Sequence, residues 1–263
     1  MHIFMNRKYH ILILLLTVAV AACALAPSDG EASAKDKTIV MFVPDTDWPP
    51  YFINDPKSPC CGVLVEVLKA AAEPMGYTVK ARKYPNKRGW ALLEDGDVDV
   101  HVKAKEWVKN PDRFLWTAPF MESEDILLYS ANSTLEYTSP KALYGKTVAA
   151  MEGFVYPVLE AHFGPGKIIR VDATSPYTML DLLDHGRVDA ALVNKSETQW
   201  LFRNRPNLKP ERFRMDKTSC DKAWYRYVFT KESNWQPFIK EFNKTLKAMK
   251  KDGRLKAIMD QYR

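Results

Sequence analysis

Lys103 and Glu106 stand three positions apart in a chain of 263 residues that carries no catalytic signature. The Lys103 amine can hold an anionic group, or it can pair with Glu106, and the spacing leaves both open. Upstream, Trp48-Pro49-Pro50-Tyr51 sets two aromatic rings on a segment that cannot be helical, because prolines fix φ and remove backbone donors. Cys60 and Cys61 are adjacent and lack the spacing of metal ligands, so no metal site is expected. There is no G-x-S-x-G and no H-E-x-x-H, and Gly166-Lys167 runs into Ile168 without the upstream glycine of a phosphate loop. These residues suit the binding of a small polar group better than covalent chemistry, and no cofactor is called for.

A repeat reveals the elements that must position them. Leu92-Leu93-Glu94-Asp95-Gly96-Asp97-Val98-Asp99-Val100 returns as Leu182-Leu183-Asp184-His185-Gly186-Arg187-Val188-Asp189-Ala190. Each copy reads as a helix ending on a leucine pair, a glycine free to turn left-handed, and a buried strand opening at Val-Asp. Two such corners predict two α/β lobes with a cleft between them, where small ligands usually bind. The first lobe starts with a strand over 38–43. A helix over 62–75 follows, carried by Leu64, Val67, Leu68, Ala71 and Met75 at helical spacing, and Gly76 stops it. A strand over 78–83 and a further helix and strand ending at Val102 complete a mostly parallel sheet. After a strand over 126–130, Ser139-Pro140 reads as a cap with proline at the first helical position. The second set is a strand over 147–150, a helix over 156–163, a strand over 167–171, a helix over 177–185 and a strand over 188–193. A strand over 225–230 and helices over 235–251 and 254–262 close the chain. The division expected is 38–128 with 224–263 as lobe one and 129–223 as lobe two, so the chain crosses twice.

Arg7 and Lys8 precede an apolar run over 11–20 that is too short to span a bilayer, so residues 1–23 read as a secretory signal. Residues 24–37 are polar, small and aperiodic, which suits a flexible tether. Val20-Ala21-Ala22-Cys23 resembles a lipoprotein lipobox, making Cys23 a lipidation candidate and the lipid the only expected membrane contact. Ala22-Cys23-Ala24 also reads as an ordinary cleavage site. Without Arg7 and Lys8 the formal charge falls from +6 to +4, with 36 basic and 32 acidic residues interspersed. The lysines of 244–256 alternate with Leu246, Met249, Leu255 and Ile258 as a solvated helix face does, so nucleic acid is not an expected partner. If Cys23 is lipidated, three cysteines remain in an oxidising compartment, and Cys220 is expected to bridge to Cys60 or Cys61.

The order of motifs resembles family 3 of the bacterial extracellular solute-binding proteins, the amino-acid-type receptors of ABC importers. It is carried by Trp48-Pro49-Pro50-Tyr51, by the helix opened at Gly62, and by Leu93 to Asp99. Trp116-Thr117-Ala118-Pro119-Phe120, Leu143-Tyr144-Gly145-Lys146-Thr147-Val148, Gly186 to Ala190 and the closing Leu246 to Gly253 complete it. The resemblance implies the type II periplasmic-binding-protein fold: two lobes, each a mostly parallel sheet flanked by helices, joined by two hinge strands. It implies an extracytoplasmic monomer that closes on a small polar solute and delivers it to an ABC permease in the inner membrane. Carried over residue by residue, Trp48, with Tyr51 beside it, falls where relatives cover the ligand with an aromatic ring. Lys103 and Glu106 fall in the loop where relatives offer small donors. Arg113 is displaced by about two residues from the arginine that grips a carboxylate in relatives. Gly153, Phe154 and Tyr156 fall at a glycine loop and helix start that favour anions. Asn194 stands where amino-acid-binding relatives carry an acid for the α-ammonium. An amide cannot supply that charge, so a free α-amino acid is not held in the usual way unless Glu106 or Glu152 supplies the carboxylate. Two alternatives share the fold: a solute-sensing module for a signalling partner, and a cyclohexadienyl dehydratase-like enzyme with Glu106 or Glu152 as general acid.

Overall fold

The first strand, β1 (Thr38–Pro44), is a run of apolar, largely β-branched residues buried on both faces, as a strand inside a parallel sheet requires. A computed structural model describes residues 37–54 and 62–262; the expected leader 1–23, the tether through residue 36, Cys23, Cys60 and Cys61 lie outside them. Helix α1 (Val63–Ala72) buries Leu64, Val67, Leu68 and Ala71 as one stripe. It starts at Gly62, with φ +126°, where an added Cβ would stand 2.3 Å from the Tyr51 carbonyl oxygen. Only glycine lets this helix begin against the Tyr51 loop, so the sequence fixes that loop at α1.

Strand β2 (Thr78–Tyr84) pairs parallel with β1. Helix α2 (Asn86–Asp95) and strand β3 (Val100–Ala104) follow, and β3 lies on the other side of β1. The second half repeats this trio with β6 (Thr147–Met151), β7 (Ile169–Ala173), helix α3 (Pro176–Asp184) and β8 (Ala190–Asn194), β6 lying parallel between β7 and β8. The repeated corner builds the same structure twice. Gly96 and Gly186 take φ of 79° and 64°, and the residue after each donates to the first leucine carbonyl, Asp97 to Leu92 at 2.9 Å and Arg187 to Leu182 at 2.8 Å. The repeated aspartate then ties each corner to its central strand. Asp99 Oδ2 accepts from the Val40 N–H at 2.7 Å, and Asp189 Oδ2 from the Thr147 N–H at 2.8 Å.

Two long strands join the halves. β5 (Met121–Ser130) and β9 (Phe213–Phe229) pair antiparallel, with the two-residue β4 (Leu115–Trp116) also on β9. The nine strands therefore form one hydrogen-bonded sheet in the order β2-β1-β3-β9-β5-β8-β6-β7. The cores nonetheless separate. Ile39, Met41, Leu68, Met121, Tyr225, Tyr227 and Phe242 pack together on one side, whereas Leu127, Tyr129, Leu143, Val148, Leu192 and Cys220 pack on the other. Each trio has a second cluster on its opposite face, with Phe42, Leu93 and Val228 in one half and Ile126, Leu128, Leu183 and Val193 in the other. Residues 126–128, grouped by sequence with the first lobe, thus pack with the second. Where the cores part, the β5–β9 ladder is irregular between Asp125 and Leu128. A bulge of this kind bends a strand and re-aims its side chains.

Three expectations are corrected, and one helix was not expected. The helix over 156–163 is a series of turns ending in a single 3-10 turn, Glu160–His162. Its amphipathic pattern is too weak, since only Tyr156 and Leu159 bury while Val155 and Val158 face solvent. The Arg170 guanidinium fastens these turns instead, donating to the Met151 and Phe154 carbonyls. The segment after Ser139 is likewise only a 3-10 turn, Pro140–Leu143. Strand β9 is far longer than the expected 225–230, its first part being polar because it crosses between the two cores. Helix α4 (Lys195–Asn204), which sequence periodicity did not signal, follows β8 directly. The chain ends in α5 (Gln236–Asp252), whose stripe of Phe238, Phe242, Leu246 and Met249 covers the first core, and α6 (Arg254–Asp260).

Candidate functional site

The loop after β1 is closed on itself by two backbone hydrogen bonds, Trp48 N–H to the Phe52 carbonyl at 2.9 Å and Phe52 N–H to Trp48 at 2.8 Å. That closure turns the Tyr51 ring inward, where it is fully buried. Its ring centroid lies 4.5 Å from that of Trp48 and 5.3 Å from Tyr225, and Trp48 meets Tyr225 edge-on at 5.8 Å. Trp107, in the 3-10 turn after β3, approaches Tyr225 edge-on as well, at 5.8 Å. Trp48 is partly buried against the first core, so it is at once a core contact and a wall of this aromatic group.

The Tyr51 hydroxyl crosses to the other half and donates to Asn194 Oδ1 at 2.9 Å. Asn194 is the N-cap of α4, and the same oxygen accepts from the Glu197 N–H at 3.1 Å. Its Nδ2 donates to Ser123 Oγ at 3.0 Å and, more weakly, to Asp125 Oδ1 at 3.5 Å. Both ends of the amide are engaged, so Asn194 is a strut between the Tyr51 loop, the crossing strand β5 and α4.

Two carboxyl groups flank this strut. Asp125 sits at the irregularity in β5, where burial, then the Asp221 carboxylate, raise its pKa to about 7 against the Asn194 hydrogen bond. Glu197 is only 8% exposed, and among the described residues its carboxylate has neither a hydrogen bond nor an ion pair. Burial, and next the neighbouring Asp125, push its pKa up to about 8. Sequence reading passed over both, although Asn194-x-x-Glu197 is a cap followed by Glu at the third helical position, a recognisable helix start.

At the end of β3, Lys103 lies on the same face as His101, and its Nζ stands 5.6 Å over the Trp107 ring. No acidic partner holds it among the described residues, and burial pushes its amine pKa down. Glu106 does not pair with it. That carboxylate is taken by Arg226 at 3.2 Å, so the Lys103–Glu106 pair that the spacing allowed is not formed.

The remaining sequence candidates are not brought to this cluster. Arg113, 60% exposed, is ion-paired with Glu94 at 3.3 Å at the end of α2, as a surface residue would be. Gly153 and the 53% exposed Phe154 lie in a solvent-facing turn with no helix behind them, so the expected helix-terminal anion site has no basis. Tyr156 is buried in the second core, its hydroxyl accepting from the Met151 N–H at 3.2 Å. The partners expected for Cys220, Cys60 and Cys61, lie outside the described residues. The Cys220 thiol is free among the described residues and buried in the second core, donating to the Asp125 carbonyl at 3.0 Å. Among the described residues no cluster has the makings of a metal site. A cavity of about 340 Å³ opens beside the site, lined by Pro50, Phe120, Glu124, Ser196 and Trp224 among others. Of the residues nominated from sequence, only Tyr51 lines it.

The model of the bacterial extracellular solute-binding proteins, family 3, matches residues 40–263. A probable amino-acid ABC transporter-binding protein of Haemophilus influenzae is 26% identical over 250 residues, covering 93% of this chain and 92% of its own. A probable amino-acid-binding protein of Bacillus subtilis, YxeM, is 25% identical and covers 94% and 93%. Among solved structures, the GluR0 ligand-binding core in complex with L-glutamate superposes with a TM-score of 0.68 at 17% identity, over 88% of this chain and 99% of that one. A histidine kinase sensor domain with similarity to periplasmic binding proteins gives 0.67 at 24% identity, over 86% and 96%. These likenesses show the fold, two lobes of the type II periplasmic-binding-protein kind. With a family match over residues 40–263, the chain belongs to the bacterial extracellular solute-binding proteins, family 3.

Proposed function

We propose that this protein is an extracytoplasmic receptor that closes on a small polar, amino-acid-like solute and delivers it to an ABC permease. The observation that carries this reading is the Tyr51–Asn194 hydrogen bond, which joins a loop of one half to a helix start of the other beside a wall of four aromatic rings. A solute touching both partners would draw the halves together about β5 and β9, the hinge, with the half that holds β1, β2 and β3 moving against the half that holds β6, β7 and β8. Lys103, an amine without an acidic partner among the described residues, would receive an anionic group of the solute. Residues 1–23 export the chain, and a lipid on Cys23 with the tether behind it would keep the receptor near its permease.

A thermal-shift screen of amino acids, their derivatives, carboxylates and amines tests this. A solute at a hundredfold excess over its Kd stabilises by about 2.7 kcal/mol, roughly 5–10 °C for a protein of this size. A screen across all these classes that leaves the melting temperature unmoved would refute the receptor.

One observation favours a second reading. Burial and Asp125 raise the Glu197 carboxyl pKa to about 8, the direction a general acid requires, so a cyclohexadienyl dehydratase-like enzyme would use it on prephenate or arogenate. Purified protein that binds but does not turn over either compound removes that reading.

A further inference from the structure

Asp125 and Glu197 present a problem that the fold does not solve. Both are drawn out of water, Asp125 raises the proton affinity of Glu197 as Asp221 raises that of Asp125, and among the described residues no Lys or Arg is ion-paired with either. The nearby amines are committed elsewhere. Lys195 holds Glu124 at 3.1 Å, and Lys222 holds Glu122 at 3.2 Å. The other titratable groups acting on the pair are Tyr51 from the β1 loop, Tyr156 from the second half, and Cys220, Asp221 and Tyr225 from β9; none of these is a cation.

A second observation comes from a different strand. The Tyr225 hydroxyl is wholly buried and has no hydrogen-bond partner of good geometry among the described residues, and it lies within electrostatic reach of both carboxyls and of Tyr51. An orphaned buried hydroxyl is rare in a native interior, because leaving it unpaired costs the whole of its desolvation. Among the described residues the Ser123 hydroxyl is the neighbour in reach of it, without a hydrogen bond of good geometry, and the two acids within its electrostatic reach lack a cation. Three aromatic rings, those of Trp48, Tyr51 and Tyr225, meet at this point, and aromatic faces attract cations.

We propose that Asp125, Glu197 and the Tyr225 hydroxyl form a subsite for a nitrogen cation, the ammonium or guanidinium group of a small organic solute. This rests on the receptor reading and deepens it. The solute is a cation, and its charge is met by two acids flanking position 194 instead of by position 194 itself. Asn194 is then left to cap α4 and hold Tyr51. Because the empty pair keeps a proton near neutrality, a cation entering the subsite displaces it: the solute's positive charge comes in and one proton leaves to solvent, so binding tightens as pH rises.

The test is calorimetry on the full chain with agmatine, L-arginine and putrescine as cationic probes, and L-citrulline and succinate as neutral and anionic ones. The structure predicts that a cationic probe binds about tenfold more tightly at about pH 8.5 than at about pH 6. It also predicts proton release, read as a binding heat that changes with the ionisation enthalpy of the buffer. Glu197→Gln and Asp125→Asn should each weaken the cation by about tenfold or more, while the unliganded variants melt no lower than wild type. Tyr225→Phe, which keeps the ring and removes only the orphaned hydroxyl, should weaken the cation without loss of melting temperature. Binding of only the neutral or anionic probes, or a cation held equally well by wild type and both carboxyl variants, overturns the subsite and leaves the receptor standing. No binding by a solute of any charge class overturns both.

Discussion

The ends of β3 and β8 occupy equivalent places in two halves built on the same corner, yet they carry opposite chemistry. At the first, Lys103 offers an amine that has no acidic partner among the described residues, beside Trp107. At the second, Asn194 caps α4 and delivers the buried Glu197 carboxyl beside Asp125. The frameworks agree down to the aspartate that accepts from the central strand, at 2.7 Å in one half and 2.8 Å in the other. The repeat therefore constrains the scaffold and leaves the residues just beyond each strand free to differ, which is how one architecture can present a positive and a negative end to a solute.

The sharpest way to break the equivalence is at the corner leucines. Leu93 and Leu183 are both fully enclosed, so Leu93→Ala and Leu183→Ala should each cost about 2–5 kcal/mol in urea denaturation. A loss confined to one of them would show that the corners are alike in outline only.

A pH titration of stability separates the two strand ends by charge. A carboxyl whose pKa is raised on folding binds more protons folded than unfolded, so stability falls as pH rises from the ordinary carboxylate range through the folded value. His101, held neutral by burial down to about 3, gives the opposite slope below its ordinary value. The window that isolates Asp125 and Glu197 is therefore about 6.5 to 8. Unliganded wild type should lose stability across it, and Glu197→Gln should flatten the loss. An unchanged slope in the variant would mean that Glu197 is not the buried acid described.

The corner aspartates give a smaller, graded contrast. Asp99→Ala leaves the Val40 N–H unpaired in a partly buried position and should cost about 1–3 kcal/mol. Asp189→Ala, at an exposed position, should cost less. The corner glycines come last. Gly186→Ala meets nothing within 4 Å and pays for its φ alone, about 1 kcal/mol. Gly96→Ala also drives a Cβ to 2.7 Å from Glu232 Cβ and should cost more. Equal melting points for the two variants would remove that distinction.

The frame of this fold was legible because it is written in apolar periodicity. The stripe of α1, the strand runs of β1, β3 and β6 and the duplicated corner each bury a regular face. What the sequence concealed was polar. Residues 213–222 cross between two cores and so show no alternation, which hid most of β9. Helix α4 buries Leu201 and Thr198 but few other residues, so only its cap could have disclosed it. Asp125 and Glu197 look like surface acids until β5 and α4 close over them. Tyr51 and Asn194, nominated for the solute, were found bonded to each other, and no local pattern encodes a contact across 143 positions. The turns over 152–163, where Gly153, Phe154 and Tyr156 were expected to face the solute, show the converse. Apolar residues at helical spacing do not make a helix when too few of them find a core.

The most direct test of the central claim is a calorimetric titration of the first solute found by thermal shift, run against wild type, Trp48→Ala, Lys103→Ala and Asn194→Ala with the fold of each checked by circular dichroism. A receptor that holds its solute between these residues predicts that each variant binds about tenfold or more weakly. Full wild-type affinity in all three would contradict it.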